Sequence, residues 1–208
     1  MKHIRMFCLL LVLSFAIGAL GQAPANAPAA KPAAPQAQTT PQPPPTVAGV
    51  LDRQISQLEK QLVDLVEAMP EDKFDFTPTQ LNTKDGRDPV RSFALEVKHV
   101  ATANYAFWTP LTGDPFPAGI KGPNGPDDLK TKADIIKFLK GSFAIGHKAA
   151  ATLTGANVVE EVPFRQGKAP RLYLVTFAVE HAYDHYGQMV VFLRMNGVTP
   201  PGSRAAAQ

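Results

Sequence analysis

The chain has 208 residues, 45% of them hydrophobic, with 20 Pro, 15 Gly and a single Cys. Its 21 basic and 18 acidic residues leave a formal charge of +3, too small a surplus for the concentrated basic patch of a nucleic-acid protein. The lone Cys8 excludes a disulfide framework and a Cys-rich metal site, while the aliphatic content suffices for one packed domain with a tail.

Lys2 and Arg5 precede an apolar run from Phe7 to Ile17. That run has the length of a signal-peptide core and is short for a bilayer span. Ala19 and Gly21 satisfy the small-x-small cleavage rule, so residues 1–21 are expected to be a signal peptide with Gln22 as the new N-terminus. Cleavage after Ala23, which would leave Pro24 first, and an uncleaved anchor are the other readings. No small residue precedes Cys8, so lipidation is not expected. Removal takes away Lys2, Arg5 and Cys8 and brings the formal charge to +1. The implied location is periplasmic or secreted, without a stable membrane anchor.

Residues 22–48 are almost entirely Ala, Pro, Gln and Thr with Lys31 as the only charge. They have little to bury, and the prolines favour an extended, solvated backbone, so a disordered spacer is expected. Residues 49–69 then place Val50, Leu51, Ile55, Leu58, Leu62, Leu65, Val66 and Met69 at helical spacing, and Pro70 should stop that helix. The polar stretch 71–87 offers Phe74, Phe76 and Leu81 as anchors.

A second helix is expected from Asp88, a good N-cap followed by Pro89, and Pro110 should end it. Residues 109–126 hold many glycines and prolines and read as a long loop of the kind that often serves as a lid. The third helix is expected from Asp127 or Asp128 to about Thr154, weakened by Gly141 and Gly146. Asn157 to Phe164 reads as extended, with a turn at Gln166–Gly167 and room for a short hairpin. The fourth helix should run from Arg171 to Met195, closed by Asn196, Gly197 and Pro200–Pro201. Four long amphipathic segments without a convincing sheet give an all-α four-helix bundle over 49–201, with a flexible tail at 202–208.

His181 and His185 stand four apart on the fourth helix, so both imidazoles stack on one face. His99 lies on the second helix, whose buried face can bring it opposite them. Three such ligands would hold one divalent ion and leave open positions, as catalytic rather than structural sites do. Imidazole suits zinc, nickel, iron and copper. No HExxH motif is present, since Ala182 follows His181, and Glu180 and Asp184 point to the rim. His147, after Gly146 on the third helix, reads as a partly exposed histidine. Gln188, one turn beyond His185, is either a supporting residue that orients a ligand or a packing residue. Tyr105, Trp108 and Tyr183 are either cleft or core, and Arg194 fits a helix-end role.

The segment VEHAYDHYGQMVVFLRMNGVTPPG resembles the last helix of the DinB-like four-helix superfamily, which includes thiol-transferase-like proteins. The shared pattern is carried by His181, His185, Gly187, Gln188, Arg194, Asn196, Gly197, Pro200 and Pro201. RSFALEVKHVATANYAFW is similar to the family's second helix, where His99 matches the third ligand, and EAMPEDKFDFTP resembles the first-helix exit. The resemblance spans roughly 49–201. It implies a DinB-like bundle with long inter-helix loops and a divalent metal on His99, His181 and His185, with zinc, nickel, iron and manganese not distinguished. It also implies activation of a small thiol, although an exported protein meets few cytosolic thiols and a hydrolytic water is the competing use. The expected function is thus a metal-dependent enzyme, transferase-like or hydrolytic, acting on a small molecule whose identity the sequence does not give. The alternative is a non-enzymatic metal- or ligand-binding module. A homodimer is compatible with either.

Overall fold

The computed structural model describes residues 44–86 and 89–204. The signal peptide expected at 1–21, most of the 22–48 spacer, the N-cap expected at Asp88 and the last residues of the 202–208 tail lie outside the described residues.

Helix α1 (Val47–Ala68) starts two residues ahead of the boundary expected at 49. The cause is Thr46, whose side-chain oxygen accepts from Gly49 N at 3.0 Å and satisfies a free first-turn donor. The stripe Leu51, Ile55, Leu58, Leu62, Leu65, Val66 and Met69 is buried, while Val50, one position off that face, is 49% exposed. After Pro70 the chain makes two short 3-10 turns, Glu71–Lys73 and Thr79–Leu81. Phe74 packs edge-on against Phe93 at 5.4 Å and Phe76 against Phe192 at 6.1 Å. Leu81 is 56% exposed and anchors nothing.

Helix α2 (Phe93–Thr112) begins later than the Asp88–Pro89 signal suggests. Ser92 is its cap, accepting from Leu95 N, and Phe93 N and Ala94 N donate to the carbonyls of Phe76 and Phe74 at 2.9 and 3.0 Å. The start of α2 is thus fixed by docking on the preceding turn. Pro110 does not end the helix. The last turn closes past it, with Gly113 N donating to Thr109 O at 3.0 Å and Gly113 in the left-handed region at φ 74°. The long loop therefore spans 113–131 rather than 109–126.

Helix α3 (Lys132–Ala151) is capped by Thr131, not by Asp127 or Asp128, and stops short of Thr154. Strands β1 (Glu161–Phe164) and β2 (Gly167–Pro170) form an antiparallel hairpin with Phe164 opposite Gly167, so the turn is Arg165–Gln166. Helix α4 (Arg171–Met195) has the limits the sequence implies. It lacks a side-chain cap. Its first donors, Arg171 N and Leu172 N, instead reach the carbonyls of Glu160 and Val158 at 3.0 Å each. Asn196 and Gly197 (φ 73°) close it. Arg194 keeps the helix-end role, donating to Ser203 Oγ at 3.1 Å.

The helices pack as a ring in which α1 neighbours α3 and α4, and α2 neighbours the same two. The hairpin leans on the α2–α4 seam, β1 on α2 and β2 on α4. Trp108, Phe93, Phe143 and the α1 leucines fill the centre. Among the described residues no helix is long and apolar enough to cross a membrane.

Candidate metal centre

His99 on α2 and His181 and His185 on α4 meet at the α2–α4 seam, one potential ligand atom from each lying within 4.8 Å of the others. His181 Nε2 is 3.2 Å from His99 Nε2 and 3.3 Å from His185 Nε2. Two nitrogens bonded tetrahedrally to an ion at about 2.0–2.1 Å stand ~3.4 Å apart, so the spacing already matches a shared ion.

The proton positions, assigned from the partners on the far side of each ring, point the same way. His99 Nδ1 is 2.8 Å from the Pro123 carbonyl oxygen, which only accepts. The proton therefore sits on Nδ1, and Nε2 of the neutral ring is a bare lone pair. His185 Nδ1 is 2.7 Å from Glu96 Oε2. Neither of those atoms has a partner that meets hydrogen-bond angles, so the contact is a close polar approach rather than a linear bond. It still draws the proton to Nδ1 and bares the second Nε2. A single proton on His181 Nε2 points at one lone pair at a time, and His181 Nδ1 is buried without a partner. A cation at the convergence point resolves this arrangement, since all three lone pairs then face positive charge. The residues present fit a divalent ion.

His99 and His181 are suited to stay neutral. Burial, then the neighbouring His185 and His99, lower His181 to about 4. Burial also lowers His99, against the pull of the Pro123 carbonyl. Glu96, 1% exposed, is pushed up by burial, but His185, Arg91 and His99 outweigh that and hold it below the usual carboxylate range. Arg91 lies 3.7 Å from Glu96 Oε1 and donates through Nε to Asn124 Oδ1 at 2.9 Å. Asn124 follows Pro123, so a chain of contacts from His185 through Glu96, Arg91 and the loop returns to His99. Carboxylates and carbonyls behind metal-binding histidines orient them in this way.

A cavity of about 330 Å³ opens on the site, with His99 and His181 in its wall. Thr102, Ala103, Ala106 and Phe107 of α2 and Phe177 of α4 supply its body. Pro123 from the long loop and Arg165 from the hairpin turn complete it. A larger cleft of about 500 Å³ between α1, α4 and the C-terminal turn, lined by Arg53, Lys60 and Tyr186, contains none of the histidines. The histidines border the smaller space.

The other candidate residues fall elsewhere. Gln188 donates to Asp184 Oδ2 at 3.3 Å and makes no hydrogen bond to a histidine. Glu96, seated behind His185, has the orienting position that Gln188 was a candidate for. Three residues before His99 on the same helix, it was signalled only by its charge within an apolar run. Tyr105 stacks on Phe138, Trp108 is core and Tyr183 pairs with Tyr186, so none lines the cavity. Glu180 and Asp184 are exposed. His147 sits between Asp52 and Glu59, at 2.6 and 3.0 Å, bridging α3 to α1.

Comparison with known proteins bears on the fold and the family. The curated proteins give no match. Among solved structures, a DinB-like protein from Bacillus cereus superimposes with a TM-score of 0.59 at 15% identity, covering 76% of this chain and 98% of that one. A DinB-like protein from Bacillus subtilis gives 0.53 at 19% identity, covering 71% and 92%. At such identities the likeness speaks for the fold. The model of the DinB superfamily matches residues 54–189, well over half of the 208, and on that match the chain belongs to the DinB superfamily.

Proposed function

We propose that this protein is exported, holds one divalent ion on His99, His181 and His185, and uses the remaining coordination positions to act on a small organic molecule bound in the adjoining cavity. The observation that carries the reading is the convergence of three imidazoles, His181 Nε2 standing 3.2 Å from His99 Nε2 and 3.3 Å from His185 Nε2, beside a space large enough for a ligand. A divalent ion there would lower the pKa of a ligating thiol or water. The chain's own part is to keep His99 and His181 neutral, aim the three imidazoles and exclude bulk water with Phe107, Phe177 and the hairpin. The cavity wall holds no carboxylate, so no side chain is placed to activate a hydrolytic water as a general base. That favours a transferase-like use over a hydrolytic one. It also supports the second reading, a binding module in which the ion only anchors a ligand. Export rests on the signal-like residues 1–21.

Metal analysis of untagged protein is the deciding experiment. One equivalent of divalent metal is expected in the wild type, and His99→Ala should lose most of it with little change in helical circular dichroism. Wild-type metal content in that variant would sink the assignment. Intact mass of secreted protein should show an N-terminus at or near Gln22, and a mass retaining residues 1–21 would sink the export reading.

A further inference from the structure

We propose that Arg165 is the specificity-determining residue of the cavity, and that the ligand is a small molecule with an apolar body and an oxyanion, carboxylate or phosphate, at its outer end. The proposal rests on the cavity being the metal's substrate site.

Three independent observations converge on this residue. The first is its backbone. Arg165 has φ 52° and is the only non-glycine with positive φ among the described residues. It occupies the first position of a two-residue hairpin turn, where glycine is the unstrained choice. An L-residue is strained at such a position, so the turn by itself gives no reason for an arginine there.

The second is how the side chain is held. Its guanidinium carbon lies 5.1 Å from the Phe164 ring centre and 5.7 Å from that of Phe107. Those rings in turn pack at 5.3 Å from each other. Cation–π contact with two rings restrains the exposed guanidinium on one side without using its N–H donors.

The third is what it lacks. Among the described residues no carboxylate pairs with Arg165 and no hydrogen bond uses its five donors, although it forms part of the wall shared with His99 and His181. A preorganised, unpaired guanidinium recognises planar or tetrahedral oxyanions through paired N–H donors. Apart from Thr102, whose hydroxyl donates to the Lys98 carbonyl, the rest of the wall is Ala103, Ala106, Phe107, Pro123 and Phe177, which suits an apolar body between the anion and the metal.

The test is calorimetric titration of phenylacetate, phenyl phosphate and the neutral 2-phenylethanol into the full chain. Zinc-loaded and metal-free forms are compared for wild type, Arg165→Gly and Arg165→Met. At least one anion should bind wild type tenfold or more tightly than 2-phenylethanol, and the tighter of the two anions identifies the source of the oxyanion. Both variants should lose that tenfold preference while keeping zinc stoichiometry and the weak binding of 2-phenylethanol. Arg165→Gly should also keep or raise the thermal midpoint, because it relieves the turn. Equal binding of anion and alcohol by wild type, or undiminished anion binding by Arg165→Gly, overturns the proposal. Failure of wild type to take up zinc overturns the metal reading alone, and the metal-free titrations then decide the role of Arg165 by the same criteria.

Discussion

Glu96 shows how a single buried carboxylate controls a site it does not enter. It faces His185 Nδ1 at 2.7 Å and is held by Arg91, so it fixes which nitrogen of His185 is bare. Glu96→Gln removes the charge and lets an amide donor face Nδ1, favouring the wrong tautomer. Loss of such a partner weakens metal affinity about 10–100-fold, and competition against a chromophoric chelator should read a drop in that range. An unchanged affinity would mean that Glu96 is only filling space. The lowered His99 and His181 also set the pH response. Metal needs neutral imidazoles, and His181 stays neutral down to about 4. The sequence alone would place the loss of binding near the ordinary histidine pKa of about 6.5, whereas the structure moves His181 below it. The same lowering makes the metal-free fold weaker in acid. Between about 6.5 and 4 the unfolded chain binds protons that folded His181 refuses, so stability falls as pH falls through that window. His147 has the opposite sign. Burial lowers it, but hydrogen bonds to Glu59 and Asp52 outweigh burial and raise it. Its contribution is full below about 6.5 and is lost as pH rises through the raised value. His147→Ala should therefore lower the thermal midpoint more at pH 6 than at pH 9, with metal stoichiometry unchanged. Equal losses at both pH values would make the Asp52–His147–Glu59 contact electrostatically idle. Of the residue-level picture, the pair His181 and His185 was legible because i, i+4 spacing is a local code, whereas His99 came from the resemblance of the second helix to the family. Glu96 and Arg165 were not legible, because their roles depend on which helix and which turn come to lie opposite.

At the scale of elements, Gly141 and Gly146 show what helix propensity misses. In sequence they only weaken α3. In the fold they are where α2 rests on α3. A Cβ built at Gly146 would lie 2.5 Å from Trp108 Cζ3, and one at Gly141 would lie 2.6 Å from the Tyr105 hydroxyl. Trp108 is fully buried and packs on Phe143, so its ring cannot swing away, whereas Tyr105 is only half-buried. Gly146→Ala should thus destabilise by about 1–3 kcal/mol, the usual range for overpacking a core, despite its gain in helix propensity. Gly141→Ala should cost less, because a tyrosine hydroxyl is the end of a movable side chain. Urea denaturation of both variants would check the order, and a stabilised Gly146→Ala would refute the close-approach account. Because α2 carries His99 and Glu96, the α2–α3 contact also sets the depth of the ligands. Element boundaries were legible to the extent that their caps are local. The end of α4 at Asn196–Gly197 and the stop of α1 before Pro70 follow from side chains and backbone near at hand. The start of α2 does not. Asp88–Pro89 is the stronger local signal, but the free N–H groups of Phe93 and Ala94 find their carbonyls on Phe76 and Phe74, residues the sequence gives no reason to place there.

At the scale of the whole molecule, candidate ligands 82 residues apart are brought together by the packing of the four helices. α1 bears no ligand, yet it packs on both α3 and α4 and so holds the ring that brings α2 to α4. The integrity of its first turn is therefore a property of the site as well as of the fold. The Pro/Ala-rich composition of residues 22–43 offers little apolar surface to offset the entropy of ordering, so the bundle should not depend on it. The dependence should begin at one residue. Thr46 caps α1 with its side chain on Gly49 N, and its carbonyl accepts from Val50 N at 3.0 Å, two of the contacts that open the helix. A chain beginning at Thr46 should keep the thermal midpoint of one beginning at Gln22, whereas a chain beginning at Val47 loses the cap. Loss of an N-cap is worth about 1 kcal/mol. For a domain of this size that shifts the midpoint by about 2–4 °C. Calorimetry of the three chains would separate the outcomes. Equal midpoints for all three would show that α1 frays without consequence. A fall already at Thr46 would show that the Pro-rich segment packs on the bundle, contrary to its composition.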